Sequence, residues 1–575
     1  MSLDTDILIL GSGGAGLFAA LHAHQAEPSL SITVAVKGLL GKSGCTRMVQ
    51  GGYNVALDAR DSVERHFMDT IEGGKWLPDQ ELVWKLVTLA VERVRELENE
   101  LGCFFDRNPD GTIHQKAFAG QTFDRTVHKG DLTGIEIMNR LAEQVWARNI
   151  ARLEEHHAVE LVKTKDGAAI GGVLLIDMRT GEFVFVRAKA VLLATGGGPT
   201  MYRYHTPSGD KSCDGLAMAL RAGLPLRDME MVQFHPTGLL AGAHTRMTGT
   251  VLEEGLRGAG GYLLNGARRR FMPDYDPLAE RATRDFVSRA MFEEMRAGRV
   301  TPNGGLWISM AHLGPENVHR QFKGMVERCA DCGFDLAGGL VEVVPTAHYM
   351  MGGVEFNADC STELAGLYVA GEDSGGVHGA NRLGGNGVAN STVYGGVAGE
   401  AMAAWLRREG ALREPDRDAL AAAIARCEPQ TGAKLGPLEP LRERLSDVMW
   451  NKVGIIRNGA DLESALSEVN ALEEELAMTG IADQTRAFNL TWHDWLNLRS
   501  LTEVSKVIAQ AALARQDSRG AHFREDFPES SPLEASAYSS ALLRGGRLAI
   551  EMKPVAFSRV RPGETLLKGA PAAEV

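Results

Sequence analysis

The chain has 575 residues, 44% hydrophobic and 23% charged, enough for more than one domain around a large core. Its 74 acidic residues outnumber 61 basic ones, and a formal charge of −13 argues against a nucleic-acid binder, which needs a positive field to neutralise phosphates. Seven cysteines, an odd and dispersed set, do not make a disulfide framework.

Residues Asp6 to Leu10 (DILIL) read as a short buried strand. GSGGAG follows, placing Gly11, Gly13 and Gly16 at G-x-G-x-x-G spacing with Gly14 between them, and LFAALHAHQA reads as a helix. This strand–loop–helix order is the context that a dinucleotide fingerprint requires. The glycines permit a tight turn and close approach to a pyrophosphate, and the helix N-terminus offers free N–H groups at the positive end of its dipole. The stretch from Ile7 to Ala23 is apolar enough to mimic a signal peptide. However, Asp4 and Asp6 precede it and the first basic residue is Lys37. No other apolar run is long enough to span a bilayer, so a cytoplasmic chain is expected, meeting a membrane only through another protein.

SITVAV ends on Lys37 where an acidic residue would take the ribose hydroxyls, which weakens an NAD reading. Ala190 to Gly198 (AVLLATGGG) and Leu367 to Asp373 (LYVAGED) are two further strands running into glycine turns. Each alone is an ordinary strand–turn; three spread along one chain suit a long ligand such as FAD, whose site is assembled from distant segments. Cys329 and Cys332 form a C-x-x-C without a second ligand pair for zinc or a thioredoxin-like context, so they read as unlinked thiols and no metal site is expected. ALREPDRD, near Arg413, reads as a linker into a helix-rich stretch, where DLESALSEVNALEEELAM has apolar residues at helical spacing.

VQGGYNVAL, MVQFHPTG, RGAGGYLLN, PTAHYMMGG, HGANRLGGN and SRGAHFREDFP resemble motifs of the succinate dehydrogenase and fumarate reductase flavoprotein family, matching in order from about Asp6 to beyond Pro554. The resemblance implies an α/β fold: a Rossmann-like FAD-binding domain over 1–240 and 340–405, an inserted α+β capping domain over 241–339, a helical domain over 413–529 and a small C-terminal domain over 530–575. It implies an FAD site formed by Gly11, Gly13, Gly14, Gly16, Lys37, Ser43, Gly44, Cys45, Gln50, Gly51, Gly52, Ala194, Thr195, Gly196, Asp214, Glu372, Arg382 and Asn386. An iron–sulfur subunit is implied as partner, because this chain has no clustered cysteine set for such a centre.

The family's reaction is hydride transfer between flavin N5 and a carbon flanked by carboxylates, as in succinate, fumarate or a substituted analogue. His235, His348 and Arg382 match its carboxylate binders; Arg supplies a planar two-pronged grip and His further donors. Outside their motifs, the histidines would read as ordinary core or loop residues. Arg284 matches the proton-donating arginine, and Glu254 and Arg257, three apart, match the relay that resupplies it. From the residues alone, a surface salt bridge would be the simpler reading of that pair. Phe118 matches an aromatic that packs over substrate.

Four departures stand out. Cys45 occupies the position of the flavin-linking histidine, so non-covalent FAD is expected ahead of a cysteinyl link. Glu253 replaces a carboxylate-binding threonine, and a carboxylate beside a substrate carboxylate is repulsive unless one is protonated or a cation lies between them. The expectation drawn from it is a substrate with an amino, hydroxyl or other donor at that end, or a Glu253 that turns away. Ala259 replaces a glutamate, and NGVANS replaces the usual NSLL segment. An L-aspartate oxidase-like amino-acid oxidase and an FAD-binding protein without turnover are the alternatives weighed. The D-x-T-G of GDLTG counts against the first, and the intact set of site residues against the second.

Overall fold

The computed structural model describes residues 2–242, 245–428 and 434–567. Residues 568–575 of the expected C-terminal segment lie outside the described residues. The first strand, Ser2–Leu10, begins earlier than its apolar pattern suggests. Ser2 to Thr5 pair with Phe185 to Ala188, and backbone pairing of this kind does not need apolar side chains.

That strand is central to a seven-stranded sheet ordered Ala151–Glu154, Ile32–Val36, Ser2–Leu10, Glu182–Leu193, Ile170–Asp177, His156–Lys163, with Leu367–Val369 also pairing to Glu182–Leu193. The first four strands and Leu367–Val369 run parallel, and the remaining pairs are antiparallel. The register sets Leu10 opposite Leu193 and Leu193 opposite Val369, so three parallel strands end level. The three glycine turns read from the sequence therefore stand side by side at the carboxyl edge, where open α/β sheets bind ligands.

Helix Gly14–Ala26 packs between this sheet and helix Asn386–Glu409. The two helices approach closely because Gly395 and Gly399 face the first one. A Cβ there would fall 2.6 Å from the Ala15 carbonyl oxygen and 2.4 Å from that of Ala19.

A second, antiparallel sheet is ordered Val232–Leu239, Val341–Met350, Leu306–Ser309, Tyr262–Leu264. Its first pair breaks register between His235 and Gly238, a β-bulge that changes the direction of side chains on the strand. Residues between 239 and 343, including Leu252, Phe271, Met291 and Met310, form a separate apolar core. Helices Glu439–Lys452, Gly459–Met478 and Leu490–Ala514 share the main core, and the hairpin of Ala537–Arg544 with Arg547–Pro554 pairs with Leu226–Arg227. Cys329 is buried on helix Lys323–Asp331, Cys332 follows that helix, and both are free thiols. Among the described residues no helix is long and apolar enough to cross a membrane.

Candidate active site

A cavity of about 560 Å³ runs from the Gly11 turn to Arg284. Gly11 has φ +109°, and a Cβ there would lie 2.1 Å from the Ala194 carbonyl oxygen, so only glycine lets these two turns touch. Gly13, Gly14, Ser43, Gly44, Cys45, Gln50, Gly51, Gly52, Ala194, Thr195, Gly196 and Glu372 line the same cavity. Gly16 is set back from it and serves packing: a Cβ would meet the Gly11 carbonyl oxygen at 2.0 Å. The Asp373 carboxylate accepts from the Thr195 amide and, at 3.2 Å, from the Gly196 amide, tying the second and third turns together.

Lys37 lacks an acidic neighbour in sequence but finds one in space: its ammonium lies 2.6 Å from Asp214, 2.9 Å from Ser212 and 2.9 Å from Asn497. Against its burial, Asp214 is held far below the usual carboxylate range by Lys37 and His157. Asn386 does not belong to the cavity wall, which corrects the expectation for it. Its amide oxygen accepts from Asn54 at 2.9 Å and bonds His66 at 3.0 Å, and its nitrogen donates to Thr70 at 3.1 Å. A long cavity bordered by glycine turns and by the first turns of two helices fits FAD, because backbone can approach a pyrophosphate where a Cβ would clash.

At the far end, Glu254 is held by two arginines. One carboxylate oxygen accepts Nε of Arg284 at 3.1 Å and also its Nη2; the other accepts Nη2 of Arg257 at 3.1 Å. Burial would raise the Glu254 carboxyl, but Arg284 and Arg257 more than offset it and hold it below its ordinary value. Arg257 lies behind Glu254, off the cavity wall, with Nη1 donating to the Glu280 carbonyl at 2.8 Å. Arg284 and Arg382 both donate to Oε1 of Gln233, each at 3.1 Å. Arg382 lies over the Tyr349 ring at 4.4 Å, and burial followed by repulsion from Arg284 lowers it to about 10.

Burial, then the charge of Arg284, pushes His235 and His348 well below the ordinary histidine value, so both are neutral. His235 Nδ1 accepts the Thr237 amide at 3.3 Å, which places the ring proton on Nε2; His348 Nδ1 bonds Thr206 at 2.9 Å. Among the described residues Glu254 is the one carboxylate that ion-pairs with Arg257, Arg284 or Arg382, so with neutral histidines the three guanidiniums exceed their paired carboxylate by two charges. Phe118 completes this end, lying against Gly51.

Glu253 also lines the cavity, but it is paired with the Lys116 ammonium. Burial raises the Glu253 carboxyl and Lys116 opposes that. A cation inside the protein therefore answers Glu253, and the expected amino group on the substrate loses its reason. The Cys45 thiol is pushed up to about 12 by burial and then by Glu372, so it is protonated. Two site residues are missed by sequence reasoning. Gln233 sits inside the MVQFHPTG motif, which was the available signal, and Lys116 has a link to Glu253 that spans 137 positions and leaves no local pattern.

The family profile described as FAD binding domain matches residues 6–388, and that described as fumarate reductase flavoprotein C-term matches 442–567. A chain of the fumarate reductase (CoM/CoB) of Methanothermobacter marburgensis is 40% identical over 537 residues, covering 92% of this chain and 95% of its own length. The chain belongs to the succinate dehydrogenase and fumarate reductase flavoprotein family. It is an FAD-dependent oxidoreductase acting on CH–CH bonds of dicarboxylates. Among solved structures, an Escherichia coli quinol fumarate reductase variant superposes with a TM-score of 0.91 at 32% identity, covering 98% of this chain and 99% of that one. Mycobacterium smegmatis Sdh1 in complex with UQ1 superposes with a TM-score of 0.86 at 33% identity, covering 96% of this chain and 95% of that one.

Proposed function

We propose that this chain reduces the double bond of fumarate or a close unsaturated dicarboxylate, with FAD held non-covalently and electrons arriving from an iron–sulfur subunit. The observation that carries the reading is the pair of uncompensated positive charges around Glu254, which matches a dianion. FAD, when bound, supplies the hydride.

His235 Nε2–H and His348 donate to one carboxylate, while Arg382 grips the other through its planar fork. The same donors draw charge from the double bond as it polarises. Arg284 holds a proton beside the reacting carbon, and the ionised Glu254, bonded to both Arg284 and Arg257, is placed to take a proton from Arg257 and pass it to Arg284. Gln233 keeps the two cavity guanidiniums in fixed relation. A neutral, half-buried Cys45 in place of a linking histidine supports non-covalent FAD. The partner is supported by the likeness to a quinol fumarate reductase and by the lack of a clustered cysteine set among the seven here. The reading keeps an FAD-binding unit over 1–240 and 340–405 and a capping unit over 241–339, the latter supported by its separate apolar core.

The test is anaerobic reoxidation of the photoreduced holoenzyme by fumarate, alongside Arg284→Ala. Rapid reoxidation in the wild type, with a loss of about a thousandfold in a variant that keeps its FAD, is the expected result. A wild-type flavin that stays reduced overturns the substrate; a variant at normal rate overturns the role of Arg284.

A further inference from the structure

A second cavity, of about 410 Å³, opens between helix Arg284–Arg296 and the segment 518–530. Arg289 lines it. Its guanidinium carbon lies 4.7 Å from the centre of the Phe523 ring and 5.3 Å from that of Phe286, a slot between two aromatic faces. Yet it makes no hydrogen bond and no ion pair among the described residues, so five N–H groups have no acceptor there. Burial pushes its pKa down.

Lys75 lines the same cavity, and its ammonium likewise makes no hydrogen bond or ion pair among the described residues. Arg519, only 3% exposed, also lines it; its Nε is buried without an acceptor, although its other nitrogens bond the Lys75 carbonyl, Asp517, Ser531 and Ser536. Two carboxylates share the cavity. Asp276 accepts the Leu278 amide at 2.7 Å, and Asp285 makes no ion pair among the described residues, with its Oδ1 buried and unpartnered. Three cations with unused donors, apolar walls and one carboxylate with an unused oxygen form a concave site of mixed character.

We infer that this cavity is a second ligand site, distinct from the flavin cavity, for a small organic carboxylate that also carries a hydroxyl or amino donor. The guanidinium of Arg289 receives the carboxylate in a two-pronged contact, Phe286 and Phe523 flank the carbon skeleton, and the donor reaches Asp285.

The site borders both arginine-bearing segments of the first cavity. Thr283 and Asp285, which flank Arg284, lie on its wall. Gly520 abuts the Ala380 carbonyl, and the Ala521 amide donates to that same oxygen at 2.8 Å, two residues before Arg382.

The experiment is equilibrium dialysis of the holoenzyme with radiolabelled malate, with the flavin difference spectrum of the same samples reporting the first cavity. The expected result is two malates per chain, of which the flavin spectrum reports one. Arg289→Gln should lose the silent equivalent, and Lys75→Gln should weaken it about tenfold, with FAD content checking that each variant is folded. One malate per chain at saturation of the flavin signal, or two that persist at full affinity in both variants, overturns the site. Failure of fumarate to reoxidise the flavin would bear on the proposed substrate and leave the silent equivalent standing.

Discussion

The Glu253 carboxylate and the Lys116 ammonium are paired at the wall of the flavin cavity, although 137 positions separate them. The threonine-to-glutamate departure is thereby converted from a net negative charge into a neutral pair. Lys116→Met should leave Glu253 buried and unanswered, raising KM for fumarate at least tenfold, or about 1.4 kcal/mol. Adding Glu253→Thr should return KM to within a few-fold of wild type. Steady-state kinetics on the single and double variants check this; a single variant with unchanged KM refutes it.

Gln233 is the common acceptor of Arg284 and Arg382. Gln233→Leu removes that acceptor from two buried guanidiniums, at about 1–3 kcal/mol for each orphaned donor. The expected fall in kcat/KM is one hundred- to a thousandfold, on the order of 3–4 kcal/mol. Gln233→Glu should raise KM, because it cancels one of the two charges that receive the dianion. Equal KM values for the glutamate variant and the wild type would show that charge count does not govern binding.

Acid precipitation of the holoenzyme should release all its flavin to the supernatant, since a thiol pushed up to about 12 offers almost no thiolate for attachment. Cys45→Ala should bind FAD with unchanged stoichiometry. Yellow colour retained in the washed pellet, and lost from it in the variant, would establish a cysteinyl link.

Burial raises Glu372 to about 7 from an ordinary value of 4.5, despite hydrogen bonds from the Met350 amide at 2.9 Å and the Gly198 amide at 3.4 Å. The folded state thus holds this proton more tightly than the unfolded chain. Its contribution is fully present below pH 4.5, falls as pH rises, and is lost through pH 7. Over that window flavin-free protein should lose about 3 kcal/mol from this group, and Glu372→Gln should flatten the slope. Urea denaturation at about pH 5 and about pH 8 measures it; parallel slopes for both proteins would remove Glu372 as the cause.

Local chemistry explains what was legible in advance. A strand, a glycine turn and a helix succeed one another within residues 2–26, so the first arm of the cradle reads directly from spacing. Relationships set by tertiary packing do not. Lys37 meets Asp214 because strand Ile32–Val36 and helix Asp214–Arg221 converge in space, and nothing near Lys37 in sequence announces it. Asn386 shows the opposite failure: it lies in a stretch read as part of the flavin site, yet its side chain turns toward His66, and motif membership says nothing of direction. Gln233 and Lys116 escape a sequence reading because each acts by joining residues from other segments.

The level ends of Ser2–Leu10, Glu182–Leu193 and Leu367–Val369 also have a consequence for biogenesis. The three arms of the cradle are made at the start, one-third and two-thirds of the way through translation. A nascent chain that has not yet delivered residues 367–373 has two arms and no third, and lacks the Asp373 that ties the second turn. A complete cradle therefore requires synthesis to have passed Asp373. Truncations short of that segment should accumulate as colourless protein, however well the first strand and helix have formed.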